Sequence, residues 1–352
     1  MSVKLDPTDS VRNAFQRFVD ELSSNHQRIT SESPANHRKT ITSYESQKTM
    51  TATHFEGVYP AMVTPFTDDN EVDHESLAAD ARRLEAAGVD GLVPVGSTGE
   101  SATLTHDDPA EVVETVVAAV EDVPVIAGTG SNSTHEAIDL SRRAEESGAD
   151  GLLLISPYYN KPEAQGFYEH YTAIADAVDL PQVVYNVPSR TGQNIPVDTT
   201  VELAAHPNIA GYKAASGDLN QISEIVERTR DESFDVLSGD DGMTLPVLSV
   251  GGTGTISVVA NVEPERTCAM VGAALAGDYD RARRLHHELG PLMRALFVET
   301  NPIPVKEAMH IRGHTSPHIR SPLTRLTTEN REYLREVLAE LDATEPPEVV
   351  NP

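Results

Sequence analysis

Lys213 is the residue with the clearest potential for covalent chemistry. It lies in the run Asn208 to Gly217, NIAGYKAASG, at the end of an apolar stretch and just before small residues and turn formers. From Met50 onward there are only three lysines, Lys161, Lys213 and Lys306, against 17 arginines, so an amine at the end of such a run cannot be dismissed as ordinary surface lysine. Apolar surroundings disfavour the ammonium and lower its pKa, and a neutral amine can add to a carbonyl carbon to form a Schiff base. The same spacing suits a lysine whose stem lies along the strand while its head reaches water or a carboxylate. Lys161 sits among Asn160, Pro162 and Glu163, a loop setting that leaves an amine hydrated, and Lys306 falls on a late helix.

Other residues of chemical interest recur after apolar runs. In GSTGES, Gly96 to Ser101, two glycines allow a tight turn, while Ser97 and Thr98 offer hydroxyls and amides. Such a turn holds a small carboxylate, or else its hydroxyls cap the next helix. SPYYN carries Tyr158 and Tyr159, and YNVPSRTG carries Tyr185 and Arg190. The phenols suit proton transfer, or packing with the hydroxyl in water. Arg190 suits a carboxylate clamp or a surface ion pair. His310, His314 and His318 recur every four residues, but Gly313 and Pro317 break the helix that would align them, so no metal site is expected. Cys268 is the only cysteine, which excludes an intramolecular disulfide and a cysteine metal cluster.

Those residues must be positioned by a repeating scaffold. Apolar runs of strand length occur at 58–63, 91–96, 123–128, 151–156, 181–187, 209–214, 234–239 and 254–259, separated by segments of helical period such as LNQISEIVERTRD. Eight alternating units with near-continuous apolar strands predict an α/β fold, a (β/α)8 TIM barrel over 50–275. Its functional residues then gather at the C-terminal strand ends. GTG at 128–130 lacks the third glycine and the following acidic residue of a dinucleotide-binding turn. Three further helices are expected in a C-terminal helical region, 276–345, before a frayed tail at 346–352. Residues 1–49, rich in Ser, Thr, Asn and Gln, predict a disordered extension, with Met50 as an alternative start.

The formal charge of -28 belongs almost wholly to the chain after residue 49, because the first 49 residues carry 7 basic and 6 acidic side chains. An acidic body of this kind repels phosphate backbones and anionic bilayers, which disfavours nucleic-acid and membrane-surface roles. Lysine depletion beside abundant Asp and Glu suits a protein adapted to high salt, where charge is screened. No run of 18 apolar residues and no signal-peptide core occurs, so a cytoplasmic location is expected.

The segments GSTGESATL, SPYYNKP, YNVPSRTG, GYKAASGDL, LSGDD and FVETNPIPVK, in this order, resemble the dihydrodipicolinate synthase family, also called 4-hydroxy-tetrahydrodipicolinate synthase, within the N-acetylneuraminate lyase superfamily. The resemblance covers nearly all of residues 56–342. It implies a lyase that condenses pyruvate with L-aspartate 4-semialdehyde in lysine and diaminopimelate biosynthesis, with no cofactor beyond a covalent Schiff base on Lys213. Ser97 and Thr98 then hold the pyruvate carboxylate. Tyr185 relays protons, aided by Thr98 and by Tyr159, which in this family reaches into the neighbouring subunit. Arg190 orients the aldehyde's carboxylate, and Gly239 and Ile256 line the pocket through their backbones. The resemblance further implies a homo-oligomer, at least a dimer and by family habit a homotetramer. Ser101, Ala102, His106, Asn132, Glu136 and Tyr158 match positions where L-lysine inhibits some members. Ala214 stands where Glu is frequent, and the loss of a carboxylate beside the amine could alter its pKa or the choice of second substrate. Two alternatives stay open: a 2-keto-3-deoxy sugar acid aldolase or N-acetylneuraminate lyase-like enzyme, and a non-catalytic 2-oxo acid binding protein.

Overall fold

The computed structural model describes residues 54–344. The expectations for residues 1–49 and for the tail 346–352 lie outside the described residues.

Seven parallel strands form the sheet: β1 (Gly57–Pro60), β2 (Ile126–Gly128), β3 (Gly151–Ile155), β4 (Gln182–Asn186), β5 (Ile209–Ala214), β6 (Asp235–Ser238) and β7 (Gly254–Ser257). The order β1-β7-β6-β5-β4-β3-β2 leaves β1 and β2 at the two edges. The apolar run 91–96, expected as a full strand, bridges those edges through single residue pairs, Ala61 with Val93 and Leu92 with Val125. Met62 N donates to Val93 O at 3.0 Å and Ile126 N to Leu92 O at 2.8 Å, so the barrel closes through this segment. Its brevity has a local cause. Pro94 has no N–H for the ladder, and Val95 at φ 60 turns the chain out of the sheet at once.

Alternation along the strands builds two cores. Tyr59, Val93, Leu153, Val183, Leu237 and Ile256 fill the barrel interior, while Leu152, Leu154, Val184 and Tyr212 pack outward against the helices. On β5, Tyr212 and Ala214 face outward, and Lys213 between them faces the barrel axis. The turn after β5 is fixed by Asp218, whose carboxylate accepts from the amides of Asn220 at 3.0 Å and Gln221 at 3.2 Å and so starts helix Leu219–Thr229.

The C-terminal helices Tyr279–Ala295, Ile303–Ile311 and Thr328–Asp342 bury Leu289, Val305, Leu334 and Leu338 in one cluster with Val58 and Val63 of the barrel wall. They share a core with the barrel, which places the loop between the first two of them over the strand ends. Among the described residues, no helix is long and apolar enough to cross a membrane.

Candidate active site

A cavity of about 1040 Å³ opens at the C-terminal ends of the strands, lined by Ser97, Thr98, Tyr185, Arg190, Lys213 and Gly239 among others. Lys213 is 5% exposed. Burial lowers its amine pKa from the ordinary lysine value to about 7; the charge of Asp241 opposes the shift and that of Arg190 adds to it. Register puts Tyr185 of β4 directly beside Lys213 of β5, and Nζ lies 4.1 Å from the centre of the phenol ring. Desolvation pushes the Tyr185 hydroxyl up to about 12, with the Arg190 charge and a hydrogen bond from Ser97 acting against it. The phenol therefore stays protonated at neutral pH, able to give a proton and take one back.

Asp241, absent from the sequence-based site, is buried, and its charge acts on Lys213. Its carboxylate accepts from Ser257 Oγ at 2.5 Å and from the amides of Val258 and Val259 at 3.0 Å each, so it is fully engaged in fixing the end of β7. Desolvation raises its pKa against those hydrogen bonds.

The hydroxyl turn is built as the glycines require. Gly99 passes so close to the chain that an added Cβ would meet Val95 N at 3.1 Å and Met62 O at 3.2 Å. Thr64 Oγ1 donates to Gly99 O at 2.7 Å and secures the turn from β1's side. Thr98 is buried, and its hydroxyl accepts from Asn301 Nδ2 at 2.9 Å. Asn301 was missed because it sits in a loop distant in sequence, although it belongs to the quoted segment FVETNPIPVK. Its backbone oxygen also accepts from Arg190 Nη2 at 2.9 Å, so one residue joins the hydroxyl turn to the exposed arginine. Of the two turn hydroxyls, Ser97 is the one whose hydrogen bonding acts to lower the Tyr185 pKa.

Other expected residues separate into groups. Gly239 lines the cavity, and a Cβ there would lie 2.9 Å from Lys213 Cγ and 3.0 Å from Cε. Gly239→Ala is accordingly expected to displace the amine and slow adduct formation roughly 100-fold, since misplacing a reacting group by about 1 Å costs that much. Timed trapping of a carbonyl substrate on Lys213 checks this, and an unchanged rate would mean the lysine re-seats freely. Ile256 belongs to the packed barrel interior and not to the cavity lining. Ala214 is buried in the outer core, so its side chain does not adjoin the amine. Tyr159 is 89% exposed and does not line its own chain's cavity.

Ser101, Ala102, His106, Glu136 and Tyr158 line a second cavity of about 560 Å³, while Asn132 stands outside it and accepts from Asn160 Nδ2 at 2.8 Å through its backbone oxygen. The two cavities share Ser97, Arg190, Thr300 and Asn301 as a common wall. His310, His314 and His318 do not converge: His310 Nδ1 donates to Thr315 O at 3.2 Å, and His318 Nε2 reaches Asn70 Oδ1 at 2.9 Å.

Comparison with known proteins matches residues 54–341 to the dihydrodipicolinate synthetase family. A protein of Haloarcula marismortui named 4-hydroxy-tetrahydrodipicolinate synthase is 74% identical over 288 residues, covering 82% of this chain and 94% of that one. One of Natronomonas pharaonis with the same name is 67% identical, covering 82% and 98%. The halophilic character read from the acidic, lysine-poor composition fits these two sources. A crystal structure of dihydrodipicolinate synthase from Aquifex aeolicus superposes with a TM-score of 0.80 at 45% identity, covering 84% of this chain and 100% of that one. By the extent of the match and by its identity to these relatives, the chain belongs to the dihydrodipicolinate synthetase family.

Proposed function

We propose that the chain condenses pyruvate with L-aspartate 4-semialdehyde to 4-hydroxy-tetrahydrodipicolinate through a Schiff base on Lys213. The observation that carries this reading is a buried amine, neutral in large part at pH 7, set against a protonated phenol beside a hydroxyl-lined turn. A surface lysine with the ordinary pKa would be neutral in only about one molecule in 3000 at that pH. Burial therefore raises the nucleophilic fraction by roughly 1000-fold.

The neutral Nζ adds to the C2 carbonyl of pyruvate. The oxygen leaves as water after gaining protons, and the carbon–nitrogen double bond that remains is a cationic iminium. Ser97 and Thr98 hold the pyruvate carboxylate. Tyr185, bonded to Ser97, relays the proton that the methyl carbon loses as the iminium becomes an enamine. The enamine carbon attacks the aldehyde carbon, and the new alkoxide takes up a proton. Arg190 holds the second substrate's carboxylate while this bond forms. The amino group of the second substrate then adds to the iminium carbon, closes the ring and expels the Lys213 amine.

Tyr159, exposed in one chain, completes the relay of a neighbouring subunit, so the working enzyme is at least a homodimer, and a tetramer follows the family's habit. A biosynthetic role of this kind carries with it a cytoplasmic location. The second cavity takes L-lysine as an inhibitor. Borohydride trapping of pyruvate with mass mapping, alongside steady-state rates with the semialdehyde and with 2-keto-3-deoxy sugar acids, tests the whole reading. The expected result is an adduct on Lys213, turnover only with the semialdehyde, and inhibition by millimolar L-lysine. An adduct on another lysine would overturn the mechanism, faster cleavage of a sugar acid the substrate, and indifference to L-lysine the inhibitory site.

A further inference from the structure

One buried ion pair lies outside this chemistry. Lys306, on helix Ile303–Ile311, is 1% exposed and forms a salt bridge with the equally buried carboxylate of Glu100. Glu100 Oε2 accepts from Arg320 N at 3.0 Å. Lys306 Nζ also donates to His318 O at 2.9 Å and lies 4.1 Å from the centre of the Phe66 ring. Arg320 in turn donates to Asp108 Oδ2 at 2.5 Å, to Thr103 O at 3.1 Å and to Asn70 O at 2.6 Å. The stretch 306–320 is thereby strapped to the turn that carries Ser97 and Thr98.

That turn needs a restraint. Val95 at φ 60 and Glu100 at φ 57 bracket it, and both adopt the left-handed backbone region that non-glycine residues enter only when their surroundings hold them there. Asn301, two residues before helix Ile303–Ile311, holds Thr98 on one side of Gly99, and Lys306 holds Glu100 on the other. A buried ion pair adds little net stability compared with apolar side chains of the same volume, so stability alone accounts poorly for its presence. What it supplies is direction: each carboxylate oxygen is bound by a donor from the C-terminal segment.

We propose that the Glu100–Lys306 pair is the positioning device of the hydroxyl turn, holding Ser97 and Thr98 in the geometry that receives the pyruvate carboxylate. Neither residue lines the cavity that contains Lys213, so their effect on substrate is transmitted through the backbone of residues 96–101. The inference rests on reading that turn as the pyruvate carboxylate site.

The test is the pyruvate dependence of borohydride trapping in the full chain, with its pH profile and the melting temperature measured in parallel. In Glu100→Gln, half-saturating pyruvate is expected to rise roughly 10-fold to 100-fold, the range for losing a charged hydrogen bond. The adduct still forms on Lys213 at saturation, and the acid limb of the pH profile does not move. The double variant Glu100→Gln with Lys306→Met leaves no lone buried charge, and it decides the matter if the single variant fails to fold. It is expected to keep the raised half-saturation. Unchanged half-saturation in the double variant, with only a lower melting temperature, would overturn the proposal and leave the pair a structural contact. Absence of any adduct in the unmodified protein would instead bring down the Schiff-base reading, and this inference with it.

Discussion

Replacing Lys213 with Met is expected to abolish the borohydride-stable pyruvate adduct and to lower kcat on the order of 10,000-fold or more, the scale on which loss of a covalent nucleophile acts. Met keeps the unbranched stem and the burial, so the fold should survive and a melting curve should change little. The unmodified enzyme offers a second measurement of the same residue. With the amine pKa lowered to about 7, the nucleophilic form dominates above that pH and is lost below it. Trapping should therefore fall as one proton is taken up, to about a tenth of its plateau at pH 6. A limb centred well above pH 8 would show that Lys213 is hydrated in solution and that burial is not what activates it.

Tyr185→Phe should have the next largest effect, a loss in kcat of roughly 100-fold to 10,000-fold, the usual range for removing a positioned proton-transfer group. The ring 4.1 Å from Nζ is kept, so the cation–aromatic contact and the packing of β4 against β5 remain. Pyruvate should still label Lys213, more slowly. Single-turnover experiments with trapped adduct separate the steps, since the loss should fall on enamine formation and carbon–carbon bonding. A kcat within about 10-fold of the unmodified enzyme would assign the relay to another group, the Ser97 hydroxyl first among them.

The barrel was legible because parallel strands buried on both faces are written as near-continuous apolar runs, and the residues after those runs lie at one end of the fold. Lys213, Tyr185 and the Gly96 to Ser101 turn could be read that way. The run 91–96 reads as a full strand by the same rule, yet Pro94 and the left-handed Val95 shorten it to single bridges. The orientation of Ala214 was also within reach, since side chains alternate along a strand and the neighbour of an inward lysine must face outward. Asn301 was not. Its contact with Thr98 spans a sequence separation of 203 residues, and an asparagine before a proline reads as a loop residue until the fold brings it over the strand ends. Lys306 was hidden for a like reason, its partner Glu100 lying 206 residues away.

The shared core of barrel and C-terminal helices also divides the site between early and late parts of the sequence. Among the described residues, 57–257 contain every strand, and the groups that grip the hydroxyl turn lie beyond them. Lys213 and Tyr185 are paired by β4 and β5 alone, whereas Thr98 and Glu100 need partners that come later in the sequence. The turn is gripped from both sides of Gly99 only through Asn301, Lys306 and Arg320. The hydroxyl turn is thus completed only by segments that follow the last barrel strand, while the amine it serves is set by the barrel itself.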